Sequence, residues 1–263
     1  MITEWQFYPS PPMCTLALYF QQFTEYPLVV AANRDEHFNR PSGSPQVLAD
    51  KPWVFGGKDL LAGGTWLGVN RNGMLVGILN RRSGVIQERV GVKSRGLLCL
   101  EVLRANAPKE AVEILRREKA TAYRPFNLLF ANATEAVVAF NTETDIDCVT
   151  LDKGLHVLSN TSIYDPPTGK ADNAHGLFTE AVGQINQGDR SSFVGSFKEV
   201  LSNHRAHGKR GSRDAICVHG EGYGTVSSTI IFYRDDERQF YYYHAAGPPC
   251  RSDYEQYPSV KVL

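Results

Sequence analysis

Cys14 opens an apolar run, "CTLALYF" (14–20), and a second apolar run, "LVVAAN" (28–33), follows after the polar stretch "QQFTEYP". If the two runs form an antiparallel hairpin, facing residues have indices that sum to about 47–48. Cys14 then lies opposite Asn33-Arg34, and Asp35-Glu36 come next, completing "NRDE". A thiol, a guanidinium and two carboxylates meet at one edge of one sheet. A cysteine thiolate attacks acyl carbon, and near neutral pH it needs a cation or base beside it, a place Arg34 can fill. Were Cys14 the first residue of the chain, its α-amine, with a pKa of about 7.7–8.0, would serve as its own general base.

Two further runs end on asparagine: "MLVGILN" at Asn80 and "LHVLSN" at Asn160. A side-chain amide N–H is the kind of donor that holds a developing oxyanion. Cys14, Arg34, Asp35, Asn80 and Asn160 together are sufficient for acyl transfer with no cofactor, metal or histidine. Each also has a plainer use. A cysteine at a strand start is a small core residue, and "NRDE" reads as a strand-ending turn with a weak surface ion pair. Asparagine after a strand is a turn former, and the pairs Gly56-Gly57 and Gly63-Gly64 serve tight turns.

The elements that must position these groups are short β-rich runs, then helices, then both again. "TWLGVN" (65–70) and "MLVGILN" (74–80) flank Asn72-Gly73, a hairpin signal. Ser94 is an N-cap for "SRGLLCLEVLRAN", and Pro108 sits in the first turn of "PKEAVEILRREKA". Strands return over 126–132, 136–141 and 155–160, and two helical stretches are expected within 171–206. The strands "AICVHG" (215–220), "GTVSSTIIFY" (224–233) and "QFYYYHAAG" (239–247) follow. Consecutive hairpins imply antiparallel sheets, and two helix pairs can each cover an outer face, so an α+β sandwich is expected rather than a doubly wound parallel sheet. No linker rich in Gly, Ser or Pro divides the chain, which reads as one domain over 14–263 behind an extension, 1–13.

Equal numbers of basic and acidic residues, 28 each, leave no basic field to attract nucleic acid or anionic lipid. No apolar run approaches the roughly 18–20 residues of a membrane span. "MITEWQFYPSPPM" has no basic n-region and is not a secretory signal. Cys14, Cys99, Cys148, Cys217 and Cys250 are widely spaced and form no CxxC pair, which argues against a disulfide framework or a zinc site and for a reducing, cytoplasmic setting. His204 and His207 read as a solvated helix face; His156, His219 and His244 read as structural strand residues. Tyr241-Tyr242-Tyr243 is a strand with both faces covered, or a pocket wall for a flat or greasy ligand.

"MCTLAL", "LVVAANRDEHFNRP", "GGKDLLAGGTWLGVNRNG", "ILNRR", "SRG", "LSN", "YGTVSST" and "AAGPPC" occur in an order and spacing that resembles the NRDE family, that of transport and Golgi organization protein 2. The resemblance implies a four-layer αββα N-terminal-nucleophile hydrolase sandwich, with two stacked antiparallel sheets, as in penicillin V acylase and bile salt hydrolase. It assigns Cys14 as nucleophile, Arg34 and Asp35 as residues orienting the nucleophile and its amine, Asn160 as the oxyanion donor and Asn80 as a second polar group. Asn33, Glu36, Gly64, Thr65, Trp66 and Ser227 are the matching candidates for substrate contact.

Two departures stand out. Twelve residues precede Met13, so Cys14 becomes N-terminal only through a later start or processing. Val226 stands where many relatives carry arginine after "YGT". Two functions follow from the resemblance: a cysteine hydrolase of a linear amide or other acyl bond, or a non-catalytic carrier of haem, acyl-lipid or acyl-CoA. Either takes a small-molecule ligand, and the oligomeric state is open.

Overall fold

In the computed structural model, which describes residues 14–81, 92–161, 169–183, 185, 189–206 and 215–263, thirteen strands and four α-helices are defined among those residues. The expected extension 1–13 and His207 lie outside the described residues. Strands β1 (Thr15–Phe20) and β2 (Leu28–His37) form the expected hairpin. Both are buried on both faces, which is why β1 and the first half of β2, up to Ala32, are largely apolar rather than alternating; Asn33 to Glu36 are buried as polar groups. With β10 (Gly154–Leu158), β11 (Tyr223–Arg234), β12 (Gln239–Ala245) and β13 (Glu255–Lys261) they make a six-stranded antiparallel sheet in the order β10-β1-β2-β11-β12-β13.

The second sheet holds β3 (Ser42–Asp50), β4 (Trp53–Asp59), β5 (Leu67–Asn70), β6 (Leu75–Asn80), β7 (Phe126–Ala131), β8 (Ala136–Asn141) and β9 (Ile146–Thr150), each paired antiparallel with the next in sequence. Leu16, Leu18, Val30 and Ala32 of the first sheet meet Leu67, Val69, Leu75 and Leu129 of the second in one inter-sheet core. The opposite face of the first sheet, with Ala17, Tyr19, Val29 and Ala31, is covered by α3 (Lys170–Val182) and α4 (Arg190–Leu201) through Phe178, Phe193 and Phe197. The outer face of the second sheet packs on α1 (Arg95–Val102) and α2 (Pro108–Arg116). The result is the expected α+β sandwich of layers α, β, β, α.

Four strands escape the sequence pattern. β3, β9 and β13 lie at sheet edges or beside them and are largely exposed, so burial imposes little periodicity on them. β4 carries Gly56-Gly57, which reads as a turn, yet a Cβ on Gly56 would stand 2.6 Å from the Leu67 carbonyl oxygen, so glycine there serves close strand approach. Conversely, "AICVHG" is not a strand: residues 215–220 are irregular apart from one bridge, His219 to Gly224. Its apolar residues are buried by packing, not by pairing.

Candidate active site

The registers of β1 place its first residues. Thr15 pairs with Asn33 in β2, and Leu16 pairs with Leu158 in β10. Continued to the end of β1, these registers bring Cys14 level with Arg34 on one side and Asn160 on the other. Cys14 shares the strand face of Leu16 and Leu18, which looks into the inter-sheet core. Its sulfur accepts a hydrogen bond from the Asp35 backbone N–H (3.4 Å) and donates one to the Asp35 carbonyl (3.6 Å). Burial, followed by the Asp35 carboxylate, pushes the Cys14 thiol up to about 12, and the opposing pull of Arg34 is weaker than either. At neutral pH the thiol is therefore protonated in this arrangement, and the cation expected to favour the thiolate, Arg34, does not outweigh burial.

Strand alternation sends Asp35 to the opposite face from Arg34 and Glu36. Its carboxylate accepts from Lys170 Nζ at 2.7 Å and from Thr225 Oγ1 at 2.6 Å, and neither Asp35 nor Lys170 reaches solvent. Burial pushes the Asp35 carboxyl up, and the Lys170 ammonium and the two hydrogen bonds oppose that shift. Lys170 opens α3 and is the one charged residue of that helix among the largest fully buried side chains. Nothing in its sequence neighbourhood marks it, since a lysine at a helix start reads as a surface residue.

A cavity of about 280 Å³ opens beside Cys14. Arg34, Glu36, Arg40, Asp59, Thr65, Trp66 and Asn80 line it, together with Ser94, Arg95 and Gly96 from the start of α1. Arg124 and Lys93 complete a lining of five cations against two carboxylates. Arg40 is held by Asp59 (2.7 Å) and Glu36 (3.7 Å), and Arg34 stands 3.6 Å from Glu36. Burial and the nearby Arg124 and Arg40 lower the Arg95 guanidinium to about 10. Arg34 Nη1 is buried without a hydrogen-bond partner among the described residues. Asn160, 1 % exposed, does not line the cavity, and neither its amide nitrogen nor its amide oxygen has a partner among the described residues. A buried polar group left unpaired costs about 1–3 kcal/mol, and the Arg34 group lies at the cavity, where a ligand can complete it.

The candidates for substrate contact divide. Glu36, Thr65 and Trp66 line the cavity, although the Thr65 hydroxyl donates to the Gly57 carbonyl (2.7 Å). Asn33 points the other way, and its amide donates to the carbonyls of Leu201 and Ile216. Gly64 is a packing position, where a Cβ would stand 2.2 Å from the Gly96 carbonyl carbon. Ser227 is buried level with Arg34 in β11, across a bulge at Val226, but does not line the cavity. Arg40 and Arg95 were not singled out in the sequence; only the fold shows that "HFNRP" and "SRG" converge on Cys14.

Two stacked antiparallel sheets between helical layers make the sandwich fold class also seen in N-terminal-nucleophile hydrolases, with Cys14 just before a strand that is second from one sheet edge. Consistent with that fold, a Caenorhabditis elegans N-acylethanolamine-hydrolyzing acid amidase (NAAA) ortholog superposes with a TM-score of 0.55 at 15% identity, over 93% of this chain and all of that one. Within the class, the chain belongs to the family described as Transport and Golgi organisation 2, whose model matches residues 13–245. Curated relatives include the transport and Golgi organization protein 2 homologs of Bos taurus, 28% identical, and Homo sapiens, 26% identical. Each of these two matches spans 78% of this chain and 82% of the relative. No helix among the described residues is long and apolar enough to cross a membrane.

Proposed function

We propose that the protein is a cofactor-independent cysteine hydrolase that cleaves an amide or other acyl bond in a small substrate carrying an anionic group. What supports this reading is the alignment of Cys14 between Arg34 and the unpaired amide of Asn160, beside a cavity that Cys14 and Arg34 help to line and that holds an excess of cations. In this mechanism Cys14 Sγ attacks the carbonyl carbon, and the electron pair of the C=O bond moves onto oxygen, where Asn160 Nδ2–H donates to it. The thiol proton passes to the α-amine of Cys14, which requires Cys14 to be the first residue of the working chain. The intermediate collapses, the amine leaves with that proton, and water resolves the thioester. Arg34, Arg95 and the first turn of α1 hold the substrate's anionic group. Asp35, fixed by Lys170 and Thr225, positions the β2 backbone that contacts the sulfur. The free cysteines suit a reducing compartment, and we place the protein in the cytoplasm.

A second reading rests on the same sulfur. With its thiol raised to about 12, and with both of its hydrogen bonds made to backbone, Cys14 lacks a base whenever residues precede it. The cavity would then serve a carrier of an anionic ligand such as haem or acyl-CoA. Intact mass and N-terminal sequencing of the protein from its native host come first, followed by a panel of fatty-acyl amides with and without a carboxylate on the amine. The enzyme reading expects a chain starting at Cys14, faster turnover of the carboxylate-bearing amides, and loss of turnover in Cys14→Ala with an unchanged circular dichroism spectrum. An unprocessed chain with no turnover, and tight haem or acyl-CoA binding unaltered by Cys14→Ala, would establish the carrier.

A further inference from the structure

His204, Cys217, His219 and Cys250 are scattered over the sequence, yet their ligand atoms all lie within 4.8 Å of one another. The irregular segment 215–219 supplies two of them, the chain just past α4 supplies His204, and the turn between β12 and β13 supplies Cys250. We propose that these four side chains form a structural Zn²⁺ site of the Cys₂His₂ type, independent of the candidate active site's chemistry.

The spacing of the ligand atoms supports a tetrahedral ion. With Zn–S of about 2.3 Å and Zn–N of about 2.0–2.1 Å, tetrahedral edges are about 3.8 Å between two sulfurs and about 3.6 Å between sulfur and nitrogen. Cys217 Sγ and Cys250 Sγ are 3.7 Å apart, and His219 Nε2 lies 3.8 Å from the first and 3.2 Å from the second. The His204 and His219 rings approach to 5.1 Å between centroids. His204 Nδ1 donates to the Cys217 backbone carbonyl at 3.1 Å, which puts the lone pair on Nε2 and orients the ring, the usual outer support of a ligating histidine. Two thiolates and two neutral imidazoles leave no position open, which marks a structural rather than a catalytic zinc. On binding, each thiol gives its proton to solvent as its sulfur bonds the ion.

The site would clip together three pieces of chain that are far apart in sequence. Cys217 N–H donates to the Asn203 carbonyl, and Val218 bonds Thr225 in both directions, at 2.9 and 2.8 Å. Thr225 in turn holds Asp35. An ion at this position therefore braces the support beneath the Cys14 strand without touching substrate. Linear spacing gives no sign of it, because no two of the ligands fall in a CxxC or HxxxH arrangement.

The test is titration of the full chain, stripped with chelator and kept reduced, with Co²⁺ alone and then Zn²⁺. The expected result is uptake of one Co²⁺ per chain, with the intense visible bands of a tetrahedral ion and thiolate-to-cobalt charge transfer, bleached by one equivalent of Zn²⁺. Cys250→Ser and His219→Ala, both at partly or fully exposed positions, should each weaken Co²⁺ binding at least tenfold. No stoichiometric uptake by the reduced wild type would overturn the proposal. So would uptake that neither variant alters, or a Cys217–Cys250 disulfide in protein isolated under native conditions.

Discussion

Lys170 Nζ and Asp35 Oδ2 stand 2.7 Å apart with both side chains closed off from solvent, joining the first turn of α3 to the strand that faces Cys14. A buried pair contributes little against an apolar replacement, but removing one partner strands the other charge. Lys170→Met should destabilise the protein by about 3–5 kcal/mol, read as a fall in denaturation midpoint. Lys170→Met with Asp35→Asn should recover a large part of that loss, and a double variant as unstable as the single one would contradict the coupling.

The Cys14 thiol, raised to about 12, should resist alkylation at neutral pH in the chain that retains the residues before it. Cys148, exposed on β9, should react with iodoacetamide first. The Cys14 rate should climb about tenfold per pH unit past pH 9, following the thiolate fraction. Peptide mapping by mass spectrometry measures both sites in one sample. Labelling of Cys14 at pH 7 as fast as that of Cys148 would show a thiolate already present.

Gly64→Ala should lower stability by more than the about 1–3 kcal/mol typical of overpacking. The added methyl meets backbone at Gly96 and Leu97, at 2.2 to 2.5 Å, and not a side chain that can turn aside. The displaced α1 start also carries Arg95 into the cavity, so ligand binding should weaken together with the thermal midpoint. An unchanged midpoint would mean that the two backbones are not in contact.

His244 should give the protein an acid-sensitive limb. Burial lowers its imidazole to about 4, while the unfolded chain titrates near 6.5. It faces the Thr229 hydroxyl at 2.9 Å, the Tyr257 ring, and Glu255 in the adjacent strand. Between those two pH values the unfolded state binds more protons, so this contribution is full above pH 6.5 and is lost as pH falls towards 4. Its size is on the order of 3 kcal/mol. Chemical denaturation at pH 7 and pH 4.5 should differ less for His244→Gln than for the wild type by that order.

The hairpin around Cys14, the alternation of strand and helix blocks and the sandwich class were legible in the chain, whereas β3, β4, β9 and β13 were not and 215–220 was misread as a strand. The legible features rest on local signals: apolar runs of strand length, Asn-Gly and Pro punctuation, and a register that a seven-residue turn nearly fixes. That same register already set Cys14 beside Arg34. Its closeness to Asn160 was only suggested by a strand-ending asparagine, because nothing local says that β10 pairs with β1.

What tertiary structure alone decided concerns groups whose meaning depends on what packs against them. Strand alternation turned Asp35 away from the cavity and into contact with Lys170, a residue whose sequence context is that of any exposed helix start. Desolvation raised the Cys14 thiol, although the composition around it suggested a cation that would lower it. Arg40 and Arg95 joined the cavity because β3, β4 and α1 converge there. Cys217, His219, Cys250 and His204 met because three chain segments with no shared periodicity close on one point. Residue types and spacing carry short-range geometry; solvent exclusion and long-range contact set the charge state and the company of each group.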